Sequence, residues 1–454
     1  KMGIGGPSPA SGSSCATCLK KFLVHFRRPQ SYSGNYGFDW LRDDYINANK
    51  RIVNERNAKK AFCLDVAKLK NEYKLDIKNP IAPYGVEYFP AWLSIFSYIQ
   101  GSNNPNISTM TKDGVKLDLY IEALESLSSD GTELIFSCSN KFIQISPQNI
   151  PLTNILKNKI LDTDGTKQYY HAARSILVKC HGGWLNHHEE VKVFAKKGKV
   201  QVEVGKLMLY RNDVVKHADI ILIPVITEYK NGHPVLPARV DAYEHLIKRV
   251  SFNQALIRAE IKREAVIDLT KHMGDVDVRT IYASNGAYYK VDPVNSKNKI
   301  LVQGSSSSDF AKALRNIYNK FGPIQIHGGI DQNGKGLSSS NKTFIFLTTK
   351  QTAAGGVCTL DGHIWGDMVV VFNSNLHHAH SYPHELGHSF SLPHTFQTGS
   401  MAKHSFYRGY TENYMDYSSD ELGNPNVFHD KKLNKPFTFY KWQWDIMRND
   451  KSMR

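Results

Sequence analysis

Between about residues 20 and 215, apolar and polar positions alternate in short runs. Val115, Leu117, Leu119, Ile121 and Ala123 are separated by Lys116, Asp118, Tyr120 and Glu122. That is the period of a strand with one face buried. Runs at 134–145, 175–180, 191–195 and 200–210 add further strands. Short strands at this spacing predict an all-β, sandwich-like region of one or two modules. Gly101-Ser102-Asn103-Asn104-Pro105-Asn106 reads as a loop, which puts a seam near 105–115. Trp40, Trp92 and Trp184 are expected in the core.

From about residue 218 the pattern becomes mixed. An apolar strand is expected at 219–226, a helix at 241–250 and a strand at 264–269. Ser308 reads as the cap of a helix whose Phe310, Leu314, Ile317 and Phe321 fall on one face, and Gly322-Pro323 ends it. Apolar strands follow at 343–349 and 368–372. Phe437, Tyr440, Trp444 and Met447 predict a closing amphipathic helix. The expected fold class is multidomain: a Gly/Ser/Pro-rich leader over 1–18, the β-rich sandwich-like region over 19–215, and an α/β domain over 216–454.

Length agrees, since 454 residues exceed one ordinary core. The net charge of +15 suits an anionic partner, such as a cell envelope surface or acidic substrates. The lysines are scattered, however, and no basic helix or nucleic-acid motif accompanies them, so a solvated surface is the preferred reading. No apolar run reaches the roughly eighteen residues of a membrane span. Of the six cysteines, Cys15 and Cys18 form a lone C-x-x-C in the leader, too isolated to read as a zinc knuckle or redox pair. A secreted or exported protein is expected. The chain opens on Lys1 without an apolar signal region, which says little about export.

Residues 384 to 394 read His-Glu-Leu-Gly-His-Ser-Phe-Ser-Leu-Pro-His. On a helix, His384 and His388 lie one turn apart on one face and can grip one metal ion. Glu385 stands beside the first ligand, where a carboxylate can reach a metal-bound water. Pro393 cannot continue a helix and displaces Leu392 from helical geometry. The helix should stop just after His388, and His394 then arrives from another direction. Three protein ligands leave one position open, as in a catalytic zinc site. Other imidazoles are less suggestive. His187 and His188 are consecutive and point different ways. His377, His378 and His380 crowd the approach to the helix, and His363 and His404 are unassigned.

Asn413-Tyr414-Met415-Asp416-Tyr417 follows downstream. With it the segment resembles the metzincin zinc endopeptidases, whose pattern is H-E-x-x-H-x-x-G-x-x-H followed by a methionine turn. The wording around Met415 is closest to pappalysin-like and related bacterial members. The resemblance implies Zn2+ on His384, His388 and His394, Glu385 as general base, and Met415 as the turn methionine beneath the metal. It also implies a part for Tyr417 at the zinc, because some families of the clan use a tyrosine two residues after the methionine. The expected substrate is a protein or peptide, laid along an exposed sheet edge at 350–366. Ser391 departs from the clan's glycine, and Thr395 leaves the subfamily open. Two alternatives stay beside this reading: an adhesion or delivery protein with an accessory peptidase, and a zinc amidase acting on cell-wall peptides.

Overall fold

The computed structural model describes residues 18–48, 50–51, 59–101, 109–161, 166–238, 243–282, 289–291, 299–301, 306–323, 326, 342–350, 355–361, 364–399, 402–429 and 436–454. Cys15, His363 and the first part of the seam expected near 105–115 (105–108) lie outside them, while 109–115 holds the short helix Thr109–Asp113.

Eleven strands of the N-terminal half join into one near-barrel sheet. They are β1 (Phe22–Arg27), β2 (Gly37–Asp39), β3 (Ala91–Ser94), β4 (Val115–Ala123), β5 (Glu133–Ser137), β6 (Ile143–Ser146), β7 (Asn149–Pro151), β8 (Lys159–Leu161), β9 (Gln168–Cys180), β10 (Glu189–Lys197) and β11 (Val200–Leu209). The main path runs β8-β9-β4-β1-β11-β10-β5-β7, with β3 and then β2 branching from β11, and β6 from β9. The spacing predicts sandwich-like modules, but the strands share one hydrogen-bonded ladder. A large sheet that curls on itself can enclose a core without a second sheet. In β4, Val115, Leu117, Leu119 and Ile121 are buried as their alternation requires. Asp118 and Glu122 are buried too, because His171 and His25 pair with them at 2.8 and 2.7 Å. Trp92 lies in the core and Trp40 is half-buried beneath the Arg42 guanidinium. Trp184, expected inside, is 51% exposed.

The second sheet has six strands: β12 (Lys216–Ile226), β13 (Ile257–Glu264), β14 (Ile267–Asp268), β15 (Lys342–Thr348), β16 (Gly356–Asp361) and β17 (Ile364–Val371). Its order is β13-β12-β15-β17-β16, with β14 also on β12. All pairs are parallel except β16 with β17, so an antiparallel strand forms one edge. Both faces are buried, as parallel strands require. Ile221, Ile223 and Phe346 face the helix α1 (Ser306–Phe321), packing with its Phe310, Leu314 and Ile317. Ser308, expected as the cap, lies inside this helix, and Phe321 is 41% exposed at its end. Ile220, Leu222, Ile345 and Leu347 face the opposite core, shared with α2 (Ser381–Ser389) and α3 (Lys441–Arg448). The closing helix thus starts later than expected, with Tyr440 as its cap. The helix expected at 241–250 is a short α turn continued by the π segment Leu246–Ser251.

The core around α2 also takes in Leu41, Tyr45, Phe62, Leu69 and Trp92 from the N-terminal half. The border expected at 215/216 therefore falls within a shared core. Polar contacts cross it as well. Arg28 Nη2 donates to Glu412 Oε2 at 2.5 Å, and Arg42 pairs with the same carboxylate. Buried Asp39 accepts from Tyr73 Oη at 2.6 Å and from the Lys441 main-chain N–H at 2.8 Å. Buried charges persist where partners satisfy them in this way.

Candidate metal centre

Helix α2 carries His384 and His388 on adjacent turns and ends at Ser389. Ser391 then adopts φ 72°, the left-handed conformation that favours glycine. Its hydroxyl donates to Asp450 Oδ2 at 2.5 Å, a local anchor for that turn. The Leu392 main-chain N–H donates back to the Gly387 carbonyl at 2.9 Å. The reversal brings His394 over the helix. His384, His388 and His394 present ligand atoms all within 4.8 Å of one another. His388 Nε2 and His394 Nε2 are 3.1 Å apart.

The outer ring nitrogens of His384 and His388 are occupied. His384 Nδ1 donates to the Tyr414 carbonyl, and His388 Nδ1 to the Leu392 carbonyl, each at 2.7 Å. Such bonds fix the tautomer that leaves Nε2 with a free lone pair. Burial, followed by the charges of His384 and Arg408, pushes His394 down to about 3. His384 and His388 are also lowered, chiefly by burial. Neutral imidazoles are what a metal needs. The donor set fits one divalent cation, and three nitrogens by themselves do not select zinc over other metals.

Glu385 is 7% exposed, and burial pushes its carboxyl up to about 8. It lies against Gly356 at the start of edge strand β16, where an added Cβ would strike its Oε1. Met415 is fully buried below α2. A Cβ at Gly387 would sit 2.5 Å from its Sδ. The methionine turn is tied to the third histidine through Thr395, whose N–H donates to the Met415 carbonyl at 3.1 Å. Asp416 braces the turn. Its carboxylate accepts from the Gly409, Thr411 and Tyr417 N–H groups, each at 2.8 Å.

The Tyr417 ring meets His394 edge-on at 4.8 Å and lies 5.9 Å from His384. Burial and the Glu385 charge raise its hydroxyl pKa, while Arg408 opposes them. Phe396 stacks on His394 at 4.8 Å, and the Arg408 guanidinium sits over Tyr417 at 4.7 Å. Sequence reasoning missed Gly356, Gly387, Phe396 and Arg408. Gly387 was within view, since it faces the methionine side of the helix. Arg408 belongs to no motif.

The remaining imidazoles stay outside the triad. His377 and His378 are exposed, and His404 is buried against Glu72 at 3.2 Å. His187 pairs with Glu189, while His188 accepts from the Arg211 N–H, so the two do point apart. Cys18 is exposed and does not belong to the triad. No disulfide joins the described cysteines, and no described helix is long and apolar enough to cross a membrane. Compared with protein-family models, curated proteins and solved structures, the chain matches none.

Proposed function

We propose that the chain is a zinc-dependent endopeptidase of the metzincin type, acting on proteins or peptides in an exported setting. One observation carries the reading: three imidazoles converge, and main-chain carbonyls hold the outer nitrogens of two of them. His384, His388 and His394 would hold the metal and leave a position open to substrate. Zinc bound there supplies Lewis acidity, polarising a carbonyl and acidifying water.

A cation held by the triad would offset the burial that raises Glu385, so that its carboxylate can take the proton of the attacking water and return it to the leaving amine. The buried setting of Glu385 beside the triad supports that part. Tyr417 donates a hydrogen bond from its hydroxyl to the developing oxyanion. Met415 gives the imidazoles an apolar floor. Strand β16 is the sheet edge next to Glu385, within the range expected for substrate pairing. An extended peptide added there gains main-chain hydrogen bonds whatever its sequence.

The test is metal analysis with proteolysis. Purified protein should carry about one zinc per chain. Casein cleavage should stop with a chelator and return with zinc. Casein left intact by the zinc-loaded protein, with peptidoglycan stem peptides cut instead, would replace this reading by the amidase.

A further inference from the structure

We propose that Arg408 anchors a substrate carboxylate beside the reacting bond, so that preferred substrates carry an acidic group there. The proposal rests on the peptidase reading and deepens it by naming a substrate class.

Three arginines of the shared core, Arg28, Arg42 and Arg448, are well supplied with acceptors. Arg28 and Arg42 share Glu412. Arg448 donates to the carbonyls of Ala255, Leu256 and Val214. Arg408 differs. Its Nε donates to the Ser419 carbonyl at 3.2 Å, and neither Nη has a partner among the described residues. No described carboxylate lies within ion-pair distance of it. Both nearby acids hydrogen-bond elsewhere, and Asp420 feels Arg408 only through its charge, beyond ion-pair distance. Asp416 is buried and braces the methionine turn. Asp420 accepts from the Leu422 and Asn424 N–H groups and from Asn424 Nδ2.

Position points the same way. The guanidinium lies 4.7 Å from the Tyr417 ring centre and 5.9 Å from that of Phe396. Both rings contact His394, so the cation stands one ring away from the metal triad. Through Tyr417 the guanidinium lies at most about 10 Å from the His394 ring, roughly the span of three residues of an extended peptide. The backbone is held on both sides. The Tyr407 N–H donates to the Phe62 carbonyl at 3.0 Å, and the Gly409 N–H to Asp416 Oδ1 at 2.8 Å. A preorganised guanidinium with free N–H groups suits bidentate carboxylate binding. The carboxylate has two sources, an Asp or Glu side chain or the free end of a peptide.

Binding and cleavage are read separately. The zinc-loaded, full-length Glu385→Gln protein is titrated into four fluorescent peptide pools by anisotropy. Three pools are capped and carry a fixed central Glu, Gln or Lys. The fourth is neutral with a free C-terminal carboxylate. The Glu pool should bind about tenfold or more tighter than the Gln pool. Adding Arg408→Gln should abolish that ratio, and Arg408→Lys should keep part of it, with unchanged circular dichroism in both. Preference for the fourth pool alone would assign the carboxylate to a chain end. An equal Glu-to-Gln ratio before and after Arg408→Gln overturns the proposal. The same pools are offered to the protein with Glu385 intact. Acid-dependent binding without any hydrolysis would sink the peptidase reading and leave Arg408 standing.

Discussion

Gly387 and Met415 meet without room for a side chain between them: a Cβ on Gly387 would lie 2.5 Å from the Met415 Sδ. The metal helix and the methionine turn are fitted to each other there. Gly387→Ala should push them apart and cost about 1–3 kcal/mol, the usual range for overpacking. Zinc affinity should fall with it. Met415→Ala in the same chain opens space and should recover part of both losses. Thermal melts and zinc titration of the two variants check this, and an unchanged Gly387→Ala protein would rule out the close fit.

His394→Ala should lose most of its zinc, because two ligands on one helical turn do not complete the site. Glu385→Gln should keep zinc and fold, yet lose at least about a hundredfold in peptide hydrolysis. Metal content by elemental analysis, set beside turnover, separates the two roles. Cleavage by Glu385→Gln at the wild-type rate would move the base elsewhere.

Tyr417→Phe keeps the ring against His394 and Phe396 and removes only the hydroxyl. If the hydroxyl serves the oxyanion, turnover should drop roughly ten- to a thousandfold. Melting temperature and zinc content should stay put. Equal turnover in both proteins would leave Tyr417 a packing residue.

Glu412 predicts an acid-sensitive clamp. Burial by itself would raise its carboxyl, but Arg28 and Arg42 outweigh burial and hold it at about 2, from an ordinary 4.5. A depressed folded-state value means stability that is fully present above about pH 4.5 and is lost as the pH falls toward 2. Glu412→Gln should cost about 3–5 kcal/mol at pH 7, since Arg28 loses its carboxylate partner and Arg42 keeps only Asp39. In urea unfolding, the gap between wild type and variant should narrow from pH 7 to pH 3. A gap that stays constant would show that the pair is not the source.

Much of the candidate site was legible because its parts are local. Helical geometry alone sets His384 and His388 one turn apart, and Pro393 forces the turn that returns His394. Ser391, where the clan has glycine, stands at the positive φ that glycine favours. Arg408 was not legible, since its place depends on a loop braced by Phe62 and Asp416.

The sequence by itself determined the strand and helix periods, the triad and its spacing, and the methionine turn. These follow from the few backbone states open to each short segment. Tertiary structure alone decided that eleven strands share one sheet, that Trp184 faces solvent, and that Gly356 lies against Glu385. It also decided that Arg28 reaches Glu412 across 384 residues of chain. Alternation tells which face of a strand is buried, but not which strand lies beside it. A charged side chain likewise carries no local sign of a partner that only packing brings near.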